Sequence, residues 1–361
     1  MIDYKKALVY FARNKMLCAI YFILPIPIAL LIYSIFYIRL PTELPIGVID
    51  GDKSGISREV EFNLDSTSTL RVVKKYNSIL EAKADLNEGN IYGLVIIPNG
   101  LEKNIKLGIE TKIGFYYNAQ FVLIGKALDS SFLKVIATMN AKNDTIRKLI
   151  KSSNFEIAFS GAMPVVSTIG ALYNPSNDYA QFLITLILPC AWQILIALGM
   201  LNAIGKISGA KKYLLAFGMN VVVSSFWGMA MMVFFQTIGY PMNGSYNVLF
   251  LGILAMSCAI SGIVMFVQAF LHNMAKSVGV IAAYTAPGLA FAGITYPQNA
   301  MDGFALFWSH ILPISYFMEL YLQQANYGLD SMDSLKVIAK MLPFFVFFPL
   351  GVLIEHLRGQ K

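Results

Sequence analysis

Two aspartates separated by one glycine, Asp50 and Asp52, are the residues whose type and spacing first suggest chemistry. They follow the apolar stretch "LPIGVI" and precede a polar stretch that begins at Ser54. In some enzymes such a pair holds a divalent metal or supplies a nucleophilic carboxylate. The composition of residues 52–55, Asp-Lys-Ser-Gly, is however one that turns favour, and no Glu, His or third acid nearby completes a site. We therefore favour a turn, and the sequence predicts no catalytic and no metal-ligating residues.

The sequence also lacks the usual motifs for binding nucleotides and metals. No G-x-x-x-x-G-K-[ST] phosphate loop occurs, since "IGKAL" and "IGKIS" are fragments of that pattern. The sequence therefore predicts that the chain itself binds neither ATP nor another cofactor. Its histidines, His272, His310 and His356, are far apart in sequence, which argues against a metal site. The three cysteines lie inside apolar stretches, so we expect no disulfide framework.

The composition indicates a membrane protein. Hydrophobic residues make up 57% of the chain and charged residues 14%, and the mean hydropathy is +0.60. The apolar residues cluster in six blocks of about 17–27 residues, the length that crosses a bilayer as a helix. We therefore predict a polytopic α-helical membrane protein with six spans. The predicted spans are residues 16–38, 179–201, 213–239, 246–271, 277–296 and 340–356.

Basic residues predict the orientation of these spans. If both termini are cytoplasmic, the basic residues that flank the spans fall almost entirely on the cytoplasmic side, as the positive-inside rule expects. The net charge of +7 is then a topology signal and not a nucleic-acid footprint. These cytoplasmic residues are Lys5, Lys6, Arg13, Lys15, Lys206, Lys211, Lys212, Lys276, Arg358 and Lys361.

A domain with a different pattern, residues 39–178, is predicted outside the membrane between the first two spans. Strand patterns alternate with helical patterns, which predicts an α/β domain with helices packed on a small sheet. The strands are expected at 45–50, 70–74, 92–97 and 112–117, and the helices at 54–64, 78–88 and 99–107. A long helix at 121–152 should follow. Its apolar stripe consists of Leu128, Phe132, Val135, Met139, Ile146 and Ile150.

Two further segments complete the predicted organisation. Residues 1–15 have an amphipathic pattern with Tyr4, Leu8 and Phe11 on one face, which predicts a helix in the cytoplasmic membrane interface. A frayed basic terminus is the alternative. Residues 179–361 form the five-span part. Within it, 297–339 is too polar to span and is divided by Pro313, which predicts an external pair of short helices.

The membrane interior offers neutral polar groups only. Spans two to five contain no Asp, Glu, Lys, Arg or His, but they contain Gln193, Asn220, Gln236 and Gln268. Proton-coupled transporters usually place ionisable groups in the bilayer, so this pattern argues against a proton-driven pump. The amides either line a substrate path or form hydrogen bonds between helices. If the chain transports a substrate, its energy must come from another subunit.

Several stretches resemble the membrane permease of type-2 ATP-binding-cassette (ABC) exporters, in the bacterial branch with a large external domain. The resemblance extends over most of the chain, and the last two stretches are the more specific. The stretches are "PIGVIDGDKSGISRE", "LNEGNIYGLVIIPNGLEKNI", "LYNPSNDYAQF" and "FAGITYPQNAMDGFALFWSHILPISYF".

The resemblance implies a mechanism and partners. Two permease copies, or this chain and a paralogue, would form the pore, and two cytoplasmic ATPase subunits would bind ATP and Mg. The chain would lie in the bacterial inner membrane, in contact with lipid, with a periplasmic adaptor as a further partner and no nucleic acid. The implied ATPase contacts are Tyr4, Leu8, Phe11, Lys206, Ser208, Gly209, Lys211 and Lys212, and the implied path or gate adds Gly293, Pro297, Pro313 and Tyr316 to the four amides.

One loop departs from the family pattern. Where relatives carry acidic residues and Gly-Thr, this chain has "LNAIGKISGAKKYLL", with Ser208 and Gly209 at the Gly-Thr position and no acid. The less active half of a heterodimer would fit this departure. The rival functions are a receptor or assembly scaffold that uses its outer domain, and a membrane enzyme that uses outer acids. Drugs, lipids and glycolipids are all compatible with a pore lined by neutral and apolar groups.

Overall fold

The computed structural model describes residues 14–36, 42–107, 109–118, 122–152, 173, 178–204 and 209–358. The predicted interfacial helix therefore lies outside the described residues, apart from its last two positions. The chain divides into a helical unit, Met1–Tyr37 with Ala171–Lys361, and a sheet unit, Ile38–Gly170. We describe each unit by itself.

The helical unit begins with a bent segment. Two helices, α1 (Lys15–Cys18) and α2 (Pro25–Phe36), are joined by a π-helical stretch, Ala19–Ile23, and the axis bends by 44°. Proline causes such a bend because it lacks an N–H and its ring obstructs the preceding turn. Pro25 thus leaves the carbonyl of Tyr21 without its usual helical donor. The Trp227 indole Nε1 donates to that carbonyl at 2.6 Å instead.

The described residues of the sheet unit form, in chain order, β1 (Leu44–Asp50), α3 (Gly55–Asp65), β2 (Leu70–Lys75), α4 (Ile79–Glu88), β3 (Gly93–Ile97), α5 (Leu101–Leu107), β4 (Gly114–Tyr117) and α6 (Val122–Ser152). The strands lie in the order β2-β1-β3-β4. Strand β1 is parallel to β2 and β3, and β4 is antiparallel to β3. Parallel neighbours require a crossover, which helices supply here.

These elements begin and end where the sequence places their caps. The Ser54 hydroxyl accepts from the Ser57 N–H at the start of α3, and Ser78 accepts from Leu80 at the start of α4. Gly89 ends α4 with φ +79°, a conformation that glycine adopts without a Cβ penalty. The strand and helix positions predicted for this unit are close to those in the structure.

The main core of the sheet unit lies between the sheet and the long helix. Ile46, Val48 and Val95 on adjacent strands are fully buried. The ring of Phe132 on α6 stacks on Phe115 of β4, with centroids 4.5 Å apart. The predicted stripe is confirmed at the four positions whose side chains are described, while Ile146 and Ile150 lie outside them. The four are Leu128, Phe132, Val135 and Met139, each at most 7% exposed.

The rest of the helical unit consists of long apolar helices followed by shorter ones. The long helices are α7 (Tyr179–Ile204), α8 (Ala210–Thr237) and α9 (Tyr246–Leu271). The shorter ones are α10 (Met274–Thr285), α11 (Gly288–Phe291), α12 (Gly303–Ile311), α13 (Pro313–Tyr321), α14 (Ser331–Ala339) and α15 (Phe347–Arg358).

The number of candidate spans is smaller than the predicted six. Within the described part of the chain, four helices are long and apolar enough to cross a membrane, namely α7, α8, α9 and the stretch Ser331–Arg358, and the bent first segment makes up to five. The predicted fifth span, 277–296, is not one helix, because α10 ends at Thr285 and only α11 follows before residue 298. Pro287 accounts for the break, since it cannot donate to the preceding turn.

The predicted external helix pair, 297–339, also differs in detail. Pro313 does divide two short helices, α12 and α13, and it is the first residue of α13. However, α14 belongs to the stretch Ser331–Arg358, so the last candidate span begins earlier than the predicted 340. A 3₁₀ turn, Leu342–Val346, joins α14 to α15 at Pro343, where the missing N–H again interrupts the α-helical ladder.

Candidate functional site

The interruption of the predicted fifth span is the most distinctive feature of the helical unit. We call residues 286–302, between α10 and α12, the broken segment. It contains α11 and a short 3₁₀ turn, Gln298–Ala300, but otherwise irregular backbone. Irregular backbone at membrane depth is tolerated only where it is buried in protein or lines a cavity, because lipid cannot satisfy its polar groups. The partners of its carbonyls therefore show how it is held.

Side chains from neighbouring helices bind the carbonyls around this segment. Gln193 of α7 donates through Nε2 to the carbonyl of Thr285 at 3.3 Å. Ser315 of α13 donates to the carbonyl of Phe291 at 3.1 Å. The end of α10 and the broken segment are thus each joined to another helix by a hydrogen bond.

Two further bonds connect this region to α12. The Tyr284 hydroxyl donates to the carbonyl of Ile311 at 2.6 Å. The Gln298 amide donates to the Ser309 hydroxyl at 2.7 Å. Helix α12 is therefore bonded to α10, just before the broken segment, and to Gln298 near the end of that segment.

Gln193 is the predicted path residue that lies at this break. Its side chain is fully buried, and its Oε1 accepts no hydrogen bond among the described residues. A Cβ on Gly288 would lie 3.5 Å from the Gln193 Nε2 and 3.1 Å from Ile314, so the absence of a side chain at 288 permits this close packing. A buried acceptor without a partner costs free energy, and it is available to a donor that enters.

Of the residues that the resemblance implied for the gate, Gly293 and Pro297 lie in the broken segment, whereas Pro313 and Tyr316 lie in α13. Gly293 has φ +85°, a left-handed conformation that favours glycine. Pro297 precedes the 3₁₀ turn, and Pro313 begins α13. The Tyr316 hydroxyl donates to the carbonyl of His310 at 3.0 Å, across the boundary between α12 and α13.

Asn220 belongs to a separate polar network. Its Oδ1 accepts from the Tyr21 hydroxyl at 2.8 Å. Its Nδ2 donates to the Ser261 hydroxyl at 2.8 Å and to the carbonyl of Ile196 at 3.2 Å. The amide therefore joins the first segment, α7, α8 and α9, and both of its N–H groups bind protein. This arrangement is the interhelical hydrogen bonding that was the alternative to a path role.

The other two predicted path residues are not at the break. Gln236 is exposed and accepts from the Tyr246 hydroxyl, near the connection between α8 and α9. Gln268 lies in the last turn of α9 and is 5% exposed, and its Oε1 has no hydrogen-bond partner within the described part of the chain. The structure thus brings only Gln193, of the four amides, to the broken segment.

An acid lies beside the loop that was predicted to contact an ATPase. Glu355 of α15 is 3% exposed, and its Oε1 accepts from the Gly209 N–H at 2.9 Å, at the start of α8. A carboxylate at a helix N-terminus satisfies a free N–H and interacts favourably with the helix dipole. Lys211 and Lys212 are exposed on the first turn of α8. Lys206 and Ser208, like Tyr4, Leu8 and Phe11, lie outside the described residues.

The same end of the helical unit contains a second charged contact. Arg358 of α15 donates to the carbonyls of Ala269 at 2.6 Å and Phe270 at 3.1 Å, in the last turn of α9. A guanidinium at a helix C-terminus satisfies carbonyls that have no helical donor. One helix, α15, therefore binds the start of α8 through an acid and the end of α9 through a base.

In the sheet unit, the protein itself occupies the acceptors of the Asp50–Asp52 pair. Asp50 accepts from the N–H groups of Asp52 and Lys53 through Oδ1, and from the Ser57 hydroxyl through Oδ2. Asp52 accepts from the N–H of Gly100 at 2.7 Å. This is a turn that joins the ends of β1 and β3. The Ser54 hydroxyl is the largest cause that lowers the pKa of Asp52, followed by the N–H of Glu102.

A second acid in this unit is bound by three donors. Asp85 accepts from the Tyr76 hydroxyl at 2.6 Å, from the Lys74 ammonium at 3.0 Å and from the Asn90 amide at 3.2 Å. These bonds, led by that of Tyr76, lower the pKa of Asp85 to about 2. The cluster fixes β2 and α4 together, and it makes the sheet unit sensitive to acid.

Sequence reasoning missed several of these residues. Tyr284, Ser315 and Gln298 contribute to the break, but neutral polar residues in apolar stretches are too common to single out. Glu355 carried a signal, since an acid at the end of an apolar block is unusual and is often functional. Its partner Gly209 is distant in sequence, so the contact itself was not predictable.

Comparison with known families identifies a family that this chain matches over most of its length. A family model described as "ABC-2 family transporter protein" matches residues 15–354. The match includes the bent first segment, the sheet unit, α7 to α14 and most of α15. In a comparison with curated proteins, none matches the sequence significantly.

Proposed function

The chain belongs to the ABC-2 family of transporter proteins, and from this premise we propose that it is the permease subunit of an ATP-driven exporter. It forms the substrate path as a dimer with a second copy or a paralogue. A separate cytoplasmic subunit binds and hydrolyses ATP. The sheet unit lies on the outer side of the bacterial inner membrane, and both termini lie in the cytoplasm.

The broken segment is the observation that carries this proposal. A protein that only anchors a domain in a membrane has no need of an interrupted helix. Transporters use interrupted helices at their substrate sites, where free backbone groups and polar side chains meet. Here the carbonyls of Thr285 and Phe291 are bound by Gln193 and Ser315. In the proposed mechanism these bonds break and re-form as α7 and α13 move relative to the segment.

The contacts of α15 support a docking role for the loop between α7 and α8. In the family pattern that the sequence resembles, this loop often carries acids, and the loop of this chain has none. Glu355 supplies a carboxylate at the Gly209 N–H from another helix. We propose that it fixes the start of α8, so that Lys211 and Lys212 are presented to an acidic surface of the ATPase. Movement there reaches α9 through Arg358.

Purification of the tagged full chain from its native membrane in mild detergent tests the proposal. We expect a partner with a phosphate-loop sequence in constant ratio, and ATP hydrolysis that is lost when the lysine of that loop is changed. The double change Lys211→Glu with Lys212→Glu should reduce the amount of bound partner. The matched control, Lys83→Glu with Lys134→Glu, reverses two exposed lysines of the sheet unit and should leave the amount unchanged.

Two results would favour other functions. A chain that purifies alone and shows no hydrolysis would favour the receptor or scaffold. Partners that bind only the sheet unit would do the same. Loss of the ATPase in the control variant as well as in the loop variant would mean that the loop is not the docking surface.

A further inference from the structure

The sheet unit also contains a cavity, which is separate from the turn at Asp50–Asp52. Its volume is about 440 Å³, within the range of about 300–1,000 Å³ that small-molecule sites occupy. It lies between α3, α5, α6 and the segment 109–113 that precedes β4. All of its described lining residues belong to the sheet unit.

The inner wall of this cavity is apolar. Val60, Leu101, Phe132 and Met139 line it, and each is at most 7% exposed over its own surface. Phe132 is fixed by its stack on Phe115, and methionine adapts to ligands of irregular shape. Such a wall accepts a hydrocarbon or aromatic group of a ligand and excludes water from it.

The described rim of the cavity is polar, and Glu110 is its one charged residue. Glu110, Thr111, Asn140 and Asn143 line it, and no described lysine or arginine side chain does. Lys112 lies between the lining residues Thr111 and Ile113 without lining the cavity itself, while Lys106 pairs with Glu102 and Lys142 with Glu59. Glu110 forms no ion pair with a described residue. The rim therefore offers a carboxylate and amide oxygens to a donor or a cation.

We propose that this cavity, which we call the Glu110 cavity, binds a small amphipathic cation. The apolar part of the ligand occupies the wall at Phe132 and Met139, and its cationic or N–H-donating head binds Glu110 and the asparagines. An aromatic cation suits the site, because an aromatic ring attracts a cation over its face. This proposal concerns the sheet unit alone and holds whether or not the chain transports the ligand.

A cysteine protection experiment tests the location of binding. The full chain, with Cys18, Cys190 and Cys258 replaced by alanine, carries Asn140→Cys at the rim and is placed in phosphatidylcholine nanodiscs. The rate of labelling by N-ethylmaleimide is measured with and without ethidium, an aromatic cation with amino donors. At an ethidium concentration of four times Kd, we expect labelling to slow about fivefold, because occupied sites are protected in proportion to 1 + [L]/Kd.

Matched variants separate the cavity from the rest of the chain. Leu133→Cys lies on the same helix but is 56% exposed and does not line the cavity, so ethidium should not slow its labelling. Ile136→Trp fills the cavity and should abolish protection at Asn140→Cys, whereas Leu133→Trp should not. Glu110→Gln should weaken ethidium binding about threefold, as an exposed charge pair contributes under about 1 kcal/mol, and Glu88→Gln should not.

Four results would contradict the proposal. Equal protection at both cysteines would show binding that is not specific to the cavity, and no protection would show that the cavity is empty of this class of ligand. Protection that survives Ile136→Trp, in a variant that still unfolds at the temperature of the parent, would place the ligand elsewhere. An unchanged affinity in Glu110→Gln would remove the preference for a cation.

Discussion

The bend in the first helical segment allows a strict test of how this protein stabilises an interrupted helix. Pro25 deprives the carbonyl of Tyr21 of its helical donor, and the Trp227 indole donates at 2.6 Å instead. We expect Trp227→Phe to remove this bond and to leave a smaller ring. Bonds between membrane helices contribute about 0.6 kcal/mol on average and about 1.7 kcal/mol at most. With a packing loss of about 1 kcal/mol for the smaller ring, the free energy of unfolding should fall by roughly 1.6–2.7 kcal/mol.

The backbone itself provides a rescue. Pro25→Ala restores the N–H that an α-helix directs at the carbonyl four residues earlier, which is that of Tyr21. In this background Trp227→Phe should cost only the packing loss of about 1 kcal/mol. The difference between the two costs isolates the bond, because the packing loss is common to both backgrounds.

The measurement is unfolding of the full chain in mixed micelles with rising dodecyl sulfate, followed by circular dichroism. Trp308→Phe is the matched control, since its indole donates no hydrogen bond among the described residues, and its cost should be equal in both backgrounds. If Trp227→Phe costs the same free energy with Pro25 as with Pro25→Ala, the indole does not replace the missing donor. The proposed stabilisation of the bend by Trp227 would then be wrong.

Three further predictions concern the break, the α15 contact and the sheet unit. Gln193→Leu removes the bond to the Thr285 carbonyl and should lower substrate-stimulated ATP hydrolysis of the purified complex by about tenfold or less, since a bond worth up to about 1.4 kcal/mol corresponds to a factor of about ten. Gln236→Leu, at an exposed position, should have little effect. Equal effects of the two changes would argue against a role of the break. Glu355→Ala leaves the Gly209 N–H unpaired and should reduce the free energy of unfolding by about 1–2 kcal/mol. Glu355→Gln keeps an acceptor for that N–H and should reduce the free energy of unfolding by less. The same dodecyl sulfate titration measures both variants. The pKa of Asp85 is lowered to about 2 in the folded chain. The ionised Asp85 should therefore stabilise the fold fully above about pH 4, and this stabilisation should be lost as the pH falls towards about 2. In unfolding measured between about pH 7 and pH 2, Asp85→Asn should remove this loss of stability in acid.

The sequence predicted those features that depend on neighbouring residues. Ser54, Ser78 and Gly89 mark helix ends because their effect is on the nearest N–H or on their own backbone conformation. The stripe on α6 could be predicted because a helix repeats its faces every 3.6 residues. Pro287 was equally visible, but apolar composition alone does not indicate whether a helix continues past a proline.

The polar partners could not be predicted because they are far apart in the chain. Gln193 binds Thr285, and Glu355 binds Gly209, across separations of 92 and 146 residues. Nothing local to a glutamine distinguishes a side chain that holds a break from one that faces solvent, as Gln236 does. Packing decides this, and packing depends on the whole unit.

Helix α7 contacts two of the proline interruptions of the helical unit, the bend at Pro25 and the break at Pro287. Trp192 and Gln193 are consecutive residues, so their side chains point about 100° apart around the helix axis. Trp192 lines the same apolar cavity as Pro25 and Trp227, beside the first bend. Gln193 binds the carbonyl at the end of α10, beside the second. A rotation of α7 about its axis would therefore alter the packing at one interruption and the hydrogen bond at the other together. Coupling between these two breaks then needs no chain of intermediate residues, because one helix contacts both.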